Sequence, residues 1–596
     1  MTTQTTERNY QISAWSLTDL FAGHDTEDMT TAFSRLEESV EAFEGVRSEL
    51  ADDISVERLL EIIKSMEENI KQAFRVFAYS SLWVSEDTQN QTAATFQARV
   101  QQFFAGMQNR TMFFELWWKA LDDETAQRLM SGAGEYAYYL KEMRNFKPHT
   151  LTESEEKVIN IKNLTGSNAL KTLYSTITNR YTFKLMVDGE EQELTRAGVM
   201  AHAYSLDPDM RAAAYQELYR VYGEDGVVLG QIYQSLVRDW RNENIDMRKF
   251  SSPISVRNLV NDIPDDVINI LLDVSEKNAP LFHRFFKLKA KWLGVEKIRR
   301  YDLYAPMTKT EKKYEFSEAA DLVLDTFAEF DGTVAEMANR VFAENHLDSE
   351  IRKGKRGGAF CMPMHQITPW VLMNYLGDPR DVATLAHELG HAIHSMLADR
   401  NPLFAHNPSL PLAETASTFS EMLLVDKMLA EETDESVRVD LLFRQVDDAY
   451  ATIMRQVFFA LFERRAHDMI QNGASVDDLC DAYMENLKTQ FGDSIELGEE
   501  FKWEWVSIPH IYNVPFYVYA YAFGQLLVFA LYQQFKAEGD SFKPRYLEIL
   551  ASGGSASTVD ILAKAGVDIR TAEFWQGGYD VIAALVDELE TIEKPE

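Results

Sequence analysis

The chain has 596 residues, 46% hydrophobic and 26% charged, the composition of a folded globular protein and not of a disordered chain, a collagen or a disulfide scaffold. Fifty-nine basic against 94 acidic residues leave a formal charge of −35, which repels phosphate backbones and anionic lipid and argues against nucleic acid or a membrane surface as partner. Two cysteines, Cys361 and Cys480, cannot make a disulfide framework and fit a reducing, cytoplasmic setting.

The opening MTTQTTERNYQISAW has neither a basic start nor an apolar core, so no signal peptide is expected. Apolar residues then recur at three and four: Leu36, Val40, Phe43, Val46 and Leu50, next Leu59 to Phe77, next Phe96 to Met107. Each series is one apolar stripe on a polar rod, as in an antiparallel helical array. Thr152 with Glu155 forms a capping box and starts another helix. Tyr181 to Thr195 breaks the helical pattern, with Asp188-Gly189 supplying the turn of a β-hairpin. A boundary is placed near 200, dividing an N-terminal helical domain (1–200, hairpin at 181–195) from a catalytic domain (201–596). Strand signals return around 299–315 and 356–376, where RGGAFCMP and WVLMNY are short apolar runs bounded by glycine and proline. Ser507 to Phe535 carries no charged residue, but its His510, Asn513, Pro515, Gln525 and tyrosines are too polar for lipid, so it reads as a buried helix. The ASGGSAS loop breaks the last helices, and the DELETIEKPE tail is a solvated acidic end.

Five of the twelve histidines, His365, His387, His391, His394 and His406, crowd into one short window. Within it stands His387-Glu388-Leu389-Gly390-His391. Residues i and i+4 of a helix lie about 40° apart and about 6 Å along the axis, so both imidazoles can reach one metal ion, while Glu388 can hold that ion's water. Asp378, Pro379 and Asp381 mark a helix start and Asp399 to Pro402 a stop, predicting a helix over about 379–398. Its flanks are apolar nearly all round, and buried histidines without a partner would be costly. Gly390 weakens a helix by about 1 kcal/mol relative to Ala, which a close neighbour would explain. A catalytic zinc needs a third ligand. Glu414 opens the helical pattern after Pro402, Pro408 and Pro411 and is the choice. Glu421, two turns on, is better placed to hydrogen-bond a ligand histidine, and His394 sits too far along to share the ion. Farther on, His510, Tyr512, Tyr517, Tyr519 and Tyr521 offer neutral donors in an apolar wall, where they would stabilise an oxyanion.

HELGHAIH followed by Glu414-Thr415-Ala416-Ser417 and Glu421 resembles the thimet-oligopeptidase-like zinc peptidases, in particular their oligoendopeptidase F branch. Gly354-Lys355-Arg356 leading into GAF, DVATLAHELGH, HIYNVPFYVYAYAFG at 510–524, GGS at 553–555 and FW at 574–575 carry the same likeness across roughly 110–590. The resemblance implies a mainly α, zincin-like fold with a small β-sheet beside the active-site helix and a deep substrate channel. It implies one Zn2+ held by His387, His391 and Glu414, with Glu388 as general base. His510 with Tyr519, Tyr512 being second choice, would be transition-state donors, and Gly358, Ala359 and Phe360 would pair with the backbone of an oligopeptide substrate. Two other readings stand beside this one. They are a dipeptidyl carboxypeptidase or metallocarboxypeptidase on a similar fold, and a peptide-binding zinc protein without turnover.

Overall fold

The computed structural model describes residues 10–307 and 312–592. The first nine residues of the opening segment, 308–311 of the expected strand region and the last four of the acidic tail lie outside them. The architecture is mainly helical with three small sheets among the described residues. The chain forms two compact units interleaved along the sequence. One comprises Met1–Lys147, Lys312–Ala430 and Gln534–Val567, the other Pro148–Glu311, Glu431–Gln533 and Asp568–Glu596. Residue 200 thus falls inside the second unit. The hairpin there, Phe183–Val187 with Glu190–Leu194, packs on the helix Pro208–Glu224, so a change of element is not a break in packing. Its turn is the Asp-Gly pair, with φ of 53° at Asp188 and 85° at Gly189.

In the first unit, the striped segments form helices Glu27–Gly45, Val56–Glu86 and Gln91–Thr111, which contact one another pairwise. Leu36, Val40, Leu59, Phe96 and Val100 are buried on them, as one apolar stripe per rod requires. A three-stranded sheet follows in the order Leu347–Asp348, Trp370–Leu372, Phe360–Met362, so the RGGAFCMP strand lies at an edge. An extended strap near the N-terminus covers this sheet. Ser16 N donates to Asn345 O (2.8 Å), Ser349 N to Ser13 O (2.9 Å) and Trp370 Nε1 to Ser16 O (2.8 Å). Trp15, Leu20 and Phe21 of the strap share a core cluster with Tyr79, Leu82, Trp370 and Leu372. Lys355 is buried and staples the loop between the strands, donating to Asp348 Oδ1 (2.7 Å) and to the carbonyls of Asp348, Glu350 and Met373.

In the second unit, helices Asp265–Lys277 and Glu435–Ala449 both pack on Ala572–Thr591, and Gly226–Arg241 packs on Arg455–Gln471. The charge-free run 507–535 is not one helix. A short helix Pro509–Asn513 and a longer one from Tyr519 are separated by a turn. Pro515 lacks the amide proton a helix needs, and Phe516 sits at φ 59°. No helix among the described residues is long and apolar enough to cross a membrane.

Candidate active site

Pro379–Ala398 is a helix with Pro379 in its first turn and reciprocal Asp378–Asp381 capping. Leu385, Ala386, Leu389, Ala392 and Ile393 are buried, and the helix packs on strands Phe360–Met362 and Trp370–Leu372 and on helix Gly332–Ala343. At Gly390 the helix is crossed by the start of helix Thr415–Glu431. A Cβ on Gly390 would stand 2.6 Å from Ser417 Cα and 2.7 Å from Ala416 O. The anomalous glycine therefore lets Glu414, three residues before Ser417, come up beside the histidines. The GGS loop braces the connecting chain from behind. Gly554 N donates to Ala405 O (2.9 Å), and a Cβ on Gly553 would meet His406 O at 2.4 Å.

The outcome is a three-residue constellation. His387 Nε2 and His391 Nε2 each lie 3.4 Å from Glu414 Oε2, and the three ligand atoms fall together as a group able to hold a metal ion. A tetrahedral ion with bonds of about 2.0–2.1 Å has ligand-to-ligand edges of about 3.4 Å, so the spacing fits one. Glu421 Oε1 accepts from His387 Nδ1, which turns Nε2 of that ring toward Glu414. Ser417 Oγ donates to Glu414 Oε2 (2.8 Å). Burial disfavours a charged His387, but the Glu421 hydrogen bond and the fields of Glu421, Glu414 and Glu388 prevail and push its pKa up to about 9. Burial would raise Glu414; the hydrogen bond and charge of His391, with His387 and Ser417, hold it down at about 2. Each group is thus set by a neighbour of opposite charge. Glu388 is buried, and its Oε2 has no protein partner. Cys361, on the neighbouring strand, has its thiol pushed up by burial and by the field of Glu388, which keeps it an un-ionised packing residue.

The other histidines of the window support the scaffold. His394 is buried, hydrogen-bonded to the Ala413 backbone and driven down to about 3 by burial and nearby imidazoles. His406 Nε2 donates to Ser395 O (3.0 Å) and His365 Nε2 to Asn401 O (2.9 Å). Asp19, Glu344 and His346 bring ligand-type atoms as close as the first group does. There Glu344 is paired with Arg340 (3.1 Å), His346 Nδ1 donates to Thr368 O (2.9 Å), and His346 Nε2 lies 3.3 Å from Asp19 Oδ2, so the cluster fastens the strap to the sheet.

Gly358, Ala359 and Phe360 lead into the edge strand. Gly358 has φ 80°, and its carbonyl accepts from Asn374 Nδ2 (2.9 Å).

His510, Tyr512 and Tyr519 belong to the second unit. His510 is half-buried, with its pKa lowered by burial and by Arg196, and so is neutral near pH 7. The two tyrosines chosen from the sequence are interior residues. Tyr512 is fully buried, stacks on Tyr174 at 3.8 Å and donates to Leu229 O. Tyr519 is equally buried, and its hydroxyl oxygen accepts from Asn261 Nδ2 (2.9 Å). The rings that gather round His510 are Tyr517, parallel at 6.2 Å, and Tyr521, edge-on at 6.0 Å, which are themselves 5.3 Å apart. Tyr517 lies in the turn and Tyr521 in the helix that begins at Tyr519, so the two rings meet at His510 through the local fold.

A family model for Peptidase family M3 matches residues 201–581, and one for Oligopeptidase F matches residues 117–183. The chain belongs to peptidase family M3. It is a metalloendopeptidase, a peptide-bond hydrolase. Similar proteins span the M3 chain nearly end to end. Oligopeptidase PepF of Bacillus subtilis is 27% identical over 97% of this chain and 87% of its own length. Group B oligopeptidase PepB of Streptococcus agalactiae is 28% identical, over 98% and 97%. A peptidase structure from Chlamydophila abortus superposes with a TM-score of 0.88 at 24% identity, covering 98% of this chain and all of that one. Oligoendopeptidase-F from Enterococcus faecium gives 0.70 at 23%, covering 95% and 98%. These likenesses agree with the helical architecture.

Proposed function

We propose that this M3 peptidase is a zinc endopeptidase that cuts short, unstructured oligopeptides by Glu388-assisted attack of water. The observation that carries this reading is the convergence of two Nε2 atoms on one carboxylate oxygen at 3.4 Å, with the unpartnered Glu388 Oε2 on the same helix. Two imidazoles and a carboxylate are a catalytic zinc donor set that leaves one position open. When bound there, zinc supplies a Lewis acid that polarises the scissile carbonyl and brings the pKa of water toward about 7.

The chain's own residues do the rest. Glu421 fixes the tautomer of His387, so that a lone pair on Nε2 faces inward. Glu388 takes the proton from the attacking water and delivers it to the leaving amine. His510 and the phenols of Tyr517 and Tyr521 act as neutral donors to the carbonyl oxygen as charge develops on it. These phenols replace Tyr519 and Tyr512, whose interior positions leave no room for a substrate. The edge strand from Gly358 to Phe360 adds the substrate backbone as a further strand. The names of the relatives support oligopeptides as substrates. The two unpaired cysteines and the charge of −35 favour work in a reducing cytoplasm, away from nucleic acid and membranes. The test is cleavage of a fluorogenic peptide blocked at both ends, with and without a chelator. Chelator-sensitive internal cleavage is expected; a requirement for a free terminus would move the enzyme to the exopeptidases.

A further inference from the structure

We infer that Glu463 is a positioning residue for the catalytic donors: its buried carboxyl holds the Phe516 amide and with it the left-handed turn that sets Tyr517 beside His510. This rests on the reading of His510 and Tyr517 as donors to the substrate. The segment that carries them has no charged residue of its own, yet charged side chains from three other helices grip its main chain at nearly successive residues. Lys171 Nζ donates to Asn513 O (2.9 Å), Arg257 Nε to Pro515 O (3.4 Å), and Glu463 Oε1 accepts from Phe516 N (3.0 Å). These residues come from helices Ser167–Asn179, Ser255–Val260 and Arg455–Gln471, all within the second unit.

Phe516 is where the grip matters most. A bulky aromatic residue at φ 59° is in a region that L side chains disfavour, and surrounding structure must hold it there. The main-chain path at 516 decides where the Tyr517 ring goes. Glu463 is fully buried, and its Oε2 has no protein partner. His467, one turn along the same helix, is buried with neither ring nitrogen paired, and its ring lies 4.8 Å from that of Phe516. Tyr233, from the packed helix Gly226–Arg241, has a buried unpaired hydroxyl and feels the Glu463 charge. Arg257 is the cation that faces Glu463. A carboxyl buried without an ion pair is costly if it only fills space; here it secures a strained amide.

Burial pushes Glu463 up to about 8, against the opposing pull of the Phe516 N–H and Arg257. The acid is neutral at pH 7. Ionisation would place an attractive charge opposite Arg257, whose Nε donates to the Pro515 carbonyl (3.4 Å), so the two states of the carboxyl hold the segment differently. The sign for stability follows. An acid with a raised folded-state pKa loses stability as pH climbs from the unfolded value through about 8.

The experiment compares E463Q and E463M with the wild-type full chain on a doubly blocked peptide, with zinc content and thermal melting as folding controls. H510A and Y517F run in parallel. E463M should lower kcat by about 10²-fold with KM and zinc content unchanged, the size of loss a misplaced catalytic group produces. E463Q, isosteric with the neutral acid, should keep the wild-type kcat at pH 7 and lose the alkaline fall centred near pH 8. Unchanged kcat in E463M, or E463Q as impaired as E463M, overturns the inference. If E463M does not fold, the pH profile of E463Q decides alone, and an alkaline fall as steep as the wild type's overturns it. Unchanged kcat in H510A and Y517F would instead overturn the donor reading beneath it.

Discussion

The histidine helix and the segment from Pro509 to Tyr521 solve the same problem in opposite ways. The first uses regular geometry: one helical turn spaces His387 from His391, and a glycine lets the following helix bring Glu414 beside both. The second uses irregular geometry, a proline and a left-handed phenylalanine held by side chains from three distant helices. A regular element tolerates changes to its surroundings because its own hydrogen bonds fix it. An irregular one depends on outside partners, so its function is exposed to substitutions far from it in sequence.

The comparison breaks most sharply at Glu388. E388Q should retain stoichiometric metal and lose about 10²–10⁴-fold in kcat, the usual contribution of general-base catalysis. Metal analysis beside single-turnover cleavage checks it, and substantial remaining turnover would remove Glu388 from its role. Next come the donors. Y517F should cost about 10²-fold in kcat with metal content intact, the order of one lost oxyanion donor. Y519F should leave kcat near wild type and lower the melting temperature, because its hydroxyl meets Asn261 in the interior. Equal kcat losses in the two variants would erase the distinction between them.

Glu421 gives a smaller effect. E421A should weaken zinc affinity by about 10–100-fold while leaving kcat at saturating zinc largely intact, as measured by competition with a chromogenic chelator. G390A is the mildest. Its new methyl meets Ser417 Cα at 2.6 Å, forcing the crossing helices apart at a cost of about 1–3 kcal/mol in stability. Calorimetry with parallel zinc titration shows whether the strain reaches Glu414.

These contrasts also explain what the sequence disclosed. The His387 helix was legible to its ends because Asp378, Pro379 and Asp381 write the start in local chemistry. Its environment was legible too: Gly390 implied a close neighbour, and Ser417 is that neighbour. The hairpin at 183–194 was legible from Asp188-Gly189. The unit boundaries were not, since each unit is assembled from three segments and local periodicity carries no information on which stretches meet. The surroundings of the tyrosines were hidden for a related reason: Tyr512 and Tyr519 turn to Leu229 and Asn261, while Tyr517 and Tyr521 stand beside His510. The turn at Phe516 that precedes Tyr517, Tyr519 and Tyr521 is held by Glu463, more than fifty positions earlier, and residue type alone does not report it.

The central claim is that His387, His391 and Glu414 hold one divalent ion on which peptide cleavage depends. Its most direct test is a zinc titration of rigorously demetallated protein, following bound metal and cleavage of a doubly blocked peptide in the same samples. Both signals should rise together and level off at one equivalent per chain. Demetallated protein that cleaves as fast as the untreated enzyme would contradict the account.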